Sequence, residues 1–375
     1  MRMTYKFKAI SSEITIQKAE HWLHLCQQLY NTALDQRIQA YKRCGITLTT
    51  YSQSNELPEL KAAFPEFKQV GSQVLQDVVE RVGKAFQGFF SRLKRIGVKA
   101  GFPRFRSRAR YNSFTLKQAG WKLEGRHLKI KGIGIFKLFL SREIQGRIKT
   151  VTVRRDACGD WWVCFSCDEV PSRVYPEPQF EGVGLDVGLN AFCTDTEGMQ
   201  IANQKYYRKA QADLRRRQRK VARRKKGSHR RKKALKELAR VHRQIKNMRL
   251  DFLHKTANYY INKFKTLCVE KLNIRNMVKN KYLSKSISDA SWGTFVELLL
   301  CKAAEAGREV IQVDPKGTSQ NCSSCGEPVK KSLAVRIHRC PHCGLEMDRD
   351  ENAARNIAAK ANIKIGVGLT PQALT

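Results

Sequence analysis

From Thr15 onward, apolar residues return every three or four positions: Ala19, Trp22, Leu23, Cys26, Leu29, Tyr30, Ala33, Leu34, Ile38 and Tyr41. That period lays them along one face of a helix, with Thr15 as the expected N-cap and Gly45 as the stop. A second stripe, from Val74 and Leu75 through Val78, Val79, Val82, Phe86, Phe89 and Phe90 to Leu93, predicts a partner helix capped by Ser72. Ahead of both, "TYKFKAI" alternates as a strand does. After "KAGFPRFRSR" the period shortens to two: "HLKIKGIGIFKLFL" reads as a strand and "IKTVTVRRDACGDWWVCFSC" as a hairpin turning at Ala157–Asp160. The prolines of "VPSRVYPEPQF" mark a linker.

Beyond it, "GVGLDVGLNAFCTD" predicts a buried strand, a Gly turn and a second strand. "FKTLCVEKLNI" is a central strand, "DASWGTFVELLLCKAAEAG" a single helix, "REVIQVDP" a strand, and the Ala-rich "ENAARNI" a short helix. Leu235, Leu238, Val241, Ile245 and Met248 keep a helical stripe within the stretch Lys205–Arg249, which "KKGSHRR" interrupts, so a helical hairpin is expected there.

Charge changes the picture most. In 375 residues, 71 Lys and Arg stand against 33 acids, a net charge of +38. Lys205–Arg249 alone holds 21 basic residues and two acids, half of that excess. Like charges at this density repel unless a polyanion neutralises them, which points to nucleic acid. An anionic membrane is the poorer match, since the start "MRMTYKFKAISSE" carries no apolar signal core and no apolar run reaches the roughly 18 residues of a span. A soluble intracellular protein is therefore expected, with reduced thiols. Its length suits two or three domains. Of the 12 cysteines, Cys26, Cys44, Cys158, Cys164, Cys167, Cys193, Cys268 and Cys301 lie among apolar neighbours and read as core filler.

The remaining four form two pairs, Cys322 with Cys325 and Cys340 with Cys343, each spaced so that both thiolates turn onto one cation. Four thiolates complete a tetrahedral Zn²⁺ shell and leave no open position, so the metal is expected to be structural. His338 and His342 are weaker rivals as ligands. Three acids pose a different question. Asp186 follows an apolar strand, Glu270 ends another, and Asp350 opens the last helix, positions where a lone carboxylate is costly unless a cation compensates it. Hard oxygen ligands suit Mg²⁺ or Mn²⁺, and two such ions activate a water for phosphodiester hydrolysis. Asp348 reads as the start of the turn, and Glu346 and Glu351 as solvent-facing.

In this order, "GLDVGLN", "VEKLNIRNM", "TSQNCSSCG", "CPHCG" and "DRDENAARNI" resemble the TnpB family, RNA-guided DNA nucleases of bacterial insertion sequences related to type V CRISPR effectors. The resemblance covers nearly the whole chain. It implies an α+β multidomain protein. Residues 181–317 and 345–365 would form an RNase H-like (RuvC) α/β nuclease domain with acids Asp186, Glu270 and Asp350, carrying a basic helical hairpin at 203–258. A zinc ribbon, 318–344, would be inserted ahead of the third acid to brace the domain. Residues 1–10 and 101–175 would form a wedge β-barrel holding a helical recognition insert, 11–100, and 366–375 a flexible tail. It further implies a guide RNA from the element's own end, target double-stranded DNA read beside a short motif, and work in the bacterial cytoplasm at the nucleoid. Tyr51, Ser54, Gln73 and Gln76 fall in the motif-reading region; surface polar residues are the plain alternative. Arg104 and Arg106, interleaved with Phe102, Phe105 and Tyr111, suit phosphate pairing and base stacking, or the aromatics fill the barrel. Arg215, Arg216, Arg223 and Arg224 of the basic arm would grip the RNA.

Three other readings compete. A metal-dependent transposase would order its acids Asp, Asp, Glu, whereas here the order is Asp, Glu, Asp. An RNA-guided binder that represses without cutting would not need all three acids, and a basic zinc-ribbon RNA-binding protein leaves them unexplained.

Overall fold

In the computed structural model, which describes residues 1–362 except 96, 98 and 333, the chain divides into two units at Pro171. The expected tail at 366–375 lies outside the described residues.

The first unit begins with strand β1 (Met3–Ile10), whose Tyr5, Phe7 and Ala9 are buried and whose lysines face water. Helix α1 (Glu13–Cys44) follows. Its N-cap is Ser12, whose hydroxyl accepts the Thr15 N–H at 3.3 Å; Thr15 itself lies buried inside the first turn, so the expected cap is displaced by three residues. Gly45 ends α1 in the left-handed conformation, φ 67°, with its N–H on the Tyr41 carbonyl. Two short helices, α2 (Thr50–Asn55) and α3 (Leu57–Ala63), and a 3-10 turn lead to α4 (Ser72–Leu93). Ser72 is the first helical residue rather than the cap, which is Gly71 with no side-chain bond. Burial along α4 stops at Gly83, leaving Phe90 and Leu93 exposed at 54% and 56%, so the far end of the expected stripe is not core.

Six further strands follow: β2 (Ser113–Leu116), β3 (Trp121–Glu124), β4 (His127–Ile130), β5 (Gly134–Phe139), β6 (Arg147–Arg155) and β7 (Trp161–Asp168). The stretch expected as one strand is thus a hairpin, β4 and β5, because Gly132 and Gly134 take φ of 83° and 136°. All pairs are antiparallel, in the order β2-β6-β7-β1-β5-β4-β3. Phe114, Phe136, Val153 and Phe165 from the sheet share one core with Trp22, Leu34, Leu75 and Val78 of α1 and α4.

The second unit holds β8 (Phe180–Val187), β9 (Ala191–Asp195), β10 (Gln200–Ala202), α5 (Tyr206–Ala222), α6 (His229–Lys263), β11 (Phe264–Glu270), α7 (Ile274–Met277), α8 (Ser284–Ala290), α9 (Trp292–Ala306), β12 (Glu309–Val313), β13 (Ile337–Arg339), β14 (Glu346–Asp348) and α10 (Arg349–Lys360). Five strands run in the order β10-β9-β8-β11-β12, with β8, β11 and β12 parallel and β9 and β10 antiparallel. The basic stretch is a helical hairpin, α5 on α6, sealed by Leu214, Val241 and Ile245. The single helix expected over 289–307 is broken at Ser291, φ 58°, into α8 and α9.

Period two along β8 and β11 decides what each face meets. Val183, Leu185, Leu267 and Val269 pack with Leu253, Ala257 and Tyr260 of α6 and Phe295 and Leu299 of α9. The alternate residues face α10: Cys268 packs on Ile357, and Gly184 lies so close that a Cβ there would meet the Ala354 carbonyl oxygen at 2.1 Å. Cys44 and Cys301, expected in the core, are exposed: Cys44 is the last residue of α1, and Cys301 lies on the outer side of α9 between buried Leu299 and Ala303.

Candidate active site and four-cysteine cluster

Asp186 has the parity of Gly184 and Glu270 that of Cys268, so both carboxylates emerge on the α10 face, at the carboxyl ends of neighbouring strands. The parallel register sets Val269 against Leu185, which puts Glu270 next to Asp186. Asp350 lies in the first turn of α10, the helix docked on that face. Its N–H, with that of Glu351, is held by the Asp348 side chain, which caps the helix. Three acids from three distant stretches thus meet at one end of the sheet.

The electrostatics at Asp186 are unfavourable. Burial, then the negative charges of Glu270 and Asp350, push the Asp186 carboxyl up to about 8, against the pull of Arg349 and Arg336. Burial also raises Glu270, opposed by the hydroxyl of Thr318, which donates to Glu270 Oε1 at 2.5 Å. Asp350 is paired with Arg336. A buried carboxylate whose two acidic neighbours raise its affinity for protons belongs to a set of hard oxygen donors suited to a divalent cation, which relieves the same repulsion. Glu346 is exposed and paired with Arg339, as expected, but Glu351 is turned inward onto Arg355 and Gly198.

The four cysteines are the one group of metal-ligating side chains, among the described residues, whose donor atoms all lie within 4.8 Å of one another. Two similar knuckles build it. Gly326 N–H bonds Cys322 O and Gly344 N–H bonds Cys340 O, each at 3.0 Å, while the N–H groups of Cys322 and Cys340 donate to the carbonyls of Glu327 and Leu345, each at 2.9 Å. Both glycines have positive φ. The Sγ atoms of Cys322 and Cys343 are 3.6 Å apart, as are those of Cys325 and Cys340. Tetrahedral thiolates on zinc would stand about 3.8 Å apart, so the donors fit that ion. His338 is buried beside Lys331 and His342 lies outside the group.

Residues that periodicity does not flag tie the knuckles to the acids. Buried Asn352 donates to Asn321 O at 2.8 Å and accepts Ser323 N–H at 2.9 Å; Asn356 donates to Thr318 O and Asn321 O at 2.8 and 2.7 Å. Buried Arg349 reaches Ser332 O at 2.7 Å. One signal for them exists in the sequence: two asparagines four apart on the inner face of the final helix, where apolar residues are the norm.

Elsewhere, Tyr51 is exposed at 77% on α2, while Ser54 bonds its own helix at Thr50 O. Gln73 accepts the N–H groups of Gln118 and Ala119, and Gln76 is exposed. Arg104 is exposed; Arg106 lies over the Tyr30 ring at 5.2 Å, with Phe102 and Phe105 exposed and Tyr111 in the core. Arg215, Arg216, Arg223 and Arg224 line one open groove on α5, Arg216 also bonding Asp213 at 2.6 Å. No described helix is long and apolar enough to cross a membrane.

A family model described as "Probable transposase" (OrfB_IS605) matches residues 165–281, and one for the Cas12f1-like TNB domain matches 292–357. A "Putative RNA-guided DNA endonuclease" of Streptomyces pristinaespiralis is 32% identical over 391 residues, covering 99% of this chain and 93% of that protein. InsQ of Escherichia coli (strain K12), named in the same words, is 29% identical over 364 residues, 92% of this chain and 88% of its own. Among solved structures, a Cas12f1-sgRNA-target DNA complex matches with TM-score 0.59 at 15% identity over 92% of this chain and 82% of that one, a likeness of fold.

Proposed function

Because this chain belongs to the TnpB family, one relative being 32% identical over nearly its whole length, we propose that it is an RNA-guided, divalent-metal-dependent DNA endonuclease cutting double-stranded DNA beside a short motif. The observation that carries this is the meeting of Asp186, Glu270 and Asp350 on one face, where the charges of the other two press on the buried Asp186 and a divalent cation would relieve them. The strand order β10-β9-β8-β11-β12 supports an RNase H-like domain of RuvC type over 181–317 and 345–365, interrupted by the ribbon 318–344. The seven-stranded sheet with α1 to α4 following its first strand supports a wedge barrel, 1–10 and 101–175, holding the recognition insert 11–100.

Asp186, Glu270 and Asp350 would hold Mg²⁺ or Mn²⁺, which when bound supplies an activated water and a counter-charge for the leaving oxygen. The protein's own part is positioning. Thr318 fixes the Glu270 carboxylate, Asp348 fixes the first turn of α10, and the two asparagines lock that helix to the first knuckle. Cys322, Cys325, Cys340 and Cys343 would hold one structural Zn²⁺, bracing the segment that delivers Asp350. Base pairing by a guide RNA from the element's own end supplies sequence choice. Tyr51, Ser54, Gln73 and Gln76 are proposed near the motif, with Arg104, Arg106, Arg215, Arg216, Arg223 and Arg224 on phosphates. The place of work is the bacterial cytoplasm, at the nucleoid.

The test is to sequence the RNA that copurifies, supply its matching DNA, and compare the protein with Asp186→Ala. The variant is expected to lose cleavage and keep RNA and DNA binding. A protein that binds both yet never cuts, even before substitution, would be a guided repressor instead.

A further inference from the structure

Between α6 and α8, against the start of α5, lies a cavity of about 390 Å³ whose wall includes Lys246, Arg249, Lys285 and Ser288. Asp289 is the one carboxylate in that wall, and it is fully engaged. Buried, it accepts the Tyr207 N–H at 3.0 and 2.9 Å and takes Arg249 Nη2 at 2.8 Å. Helix α5 starts at a left-handed Lys205 with no side-chain cap of its own, so Asp289 serves as that cap from another element. Its charge is thereby matched by Arg249. Lys246 and Lys285 keep theirs unmatched within the wall, and Arg249 Nε is buried without a partner.

Surplus positive charge beside the apolar surface of Ile245 and the ring of Tyr207 suits an anion attached to a flat apolar body. The volume falls in the range of small-molecule sites, roughly 300 to 1,000 Å³, too large for a lone phosphate and adequate for one nucleotide. We propose that this cavity is a nucleotide subsite: one nucleotide of a bound strand enters it, phosphate toward Lys246 and Lys285, base against Tyr207 and Ile245. The inference rests on the nucleic-acid reading above and adds to it a fixed point, since the groove of α5 is lined, apart from Ala212, by Arg and Lys and offers no aromatic or branched apolar side chain to a base.

Ser288→Trp tests it, because this exposed position fills the cavity without altering charge. RNA affinity of the full-length protein at about 0.15 M salt is expected to fall about tenfold, and the slope of log affinity against log salt to shrink by about 0.7, one phosphate of a single strand. Ser288→Ala keeps wild-type binding. A parallel titration of matching DNA onto RNA-loaded protein assigns the nucleotide to the DNA strand if only that binding weakens. Should Ser288→Trp fail to fold, judged by its thermal melt, the pair Lys246→Ala and Lys285→Ala is expected to shrink the slope similarly while Lys18→Ala and Lys42→Ala do not. Unchanged RNA and DNA binding by the filled variant overturns the subsite alone. A wild type that binds no RNA overturns the functional reading instead.

Discussion

Replacing Asp186 with Asn separates the chemistry of the site from its cost to the fold. The Asp186 carboxyl is pushed up to about 8 from 3.8, chiefly by burial and then by Glu270 and Asp350. Between these two values, therefore, the folded protein keeps a proton there that the unfolded chain releases. Stability is greatest below the unfolded value and is lost as pH rises toward the folded one, at up to about 1.4 kcal/mol per pH unit. Summed over that window the loss comes to at most about 6 kcal/mol. Asn has the same shape and does not titrate. Denaturant unfolding of zinc-loaded protein in magnesium-free buffer, at a series of pH values from about 5 to about 8 within this window, is the assay. Asp186→Asn is expected to be more stable than the wild type by an amount that grows with pH, although it cannot cut. Adding Mg²⁺ should narrow the gap, because only the wild type gains from binding the ion. A pH-independent difference, or a wild type that is the more stable of the two at the alkaline end without metal, would refute the reasoning.

Four further outcomes are expected. Cys325→Ser should lower bound zinc in a chromogenic thiol-release assay and cut cleavage at least about tenfold while RNA binding survives, since the knuckles position Asp350 rather than hold RNA. Asn352→Ala leaves Ser323 N–H without its side-chain acceptor and takes one of two amide donors from Asn321 O, which keeps Asn356, and should cost about 1 to 3 kcal/mol in denaturant unfolding, with zinc retained. Gly184→Ala sets a methyl against the Ala354 carbonyl and should cost about 3 kcal/mol by forcing α10 from the sheet; thermal melting reads this directly. Neutralising Arg223 and Arg224 together should reduce the salt slope of RNA binding by about 0.7 for each phosphate the pair neutralises, measured by filter binding from low to high salt.

Much of this protein is written in local order along the chain. The stripes of α1 and α4, the hairpin β6–β7, the proline-bearing linker and the paired cysteines follow from period, turn residues and spacing, which act over a few residues and need no tertiary partner. The parity of β8 and β11 is also in the sequence: apolar runs with one charged residue at the end read as strands delivering an acid. That legibility stops where two local solutions are close in energy. Ser12 and Thr15 cap equally well in isolation; the helix over 289–307 breaks at Ser291, where Asp289 turns to cap α5, a partner 82 residues away in the chain. Glu351 looks solvent-facing until β9 and its Gly198 turn arrive beside it. Which face α10 covers, which asparagines it lends to the first knuckle and how far Asp186 is pushed from its ordinary ionisation are all set by contacts between segments remote in sequence. Burial and charge proximity are properties of assembled surfaces, and no window of the chain contains them.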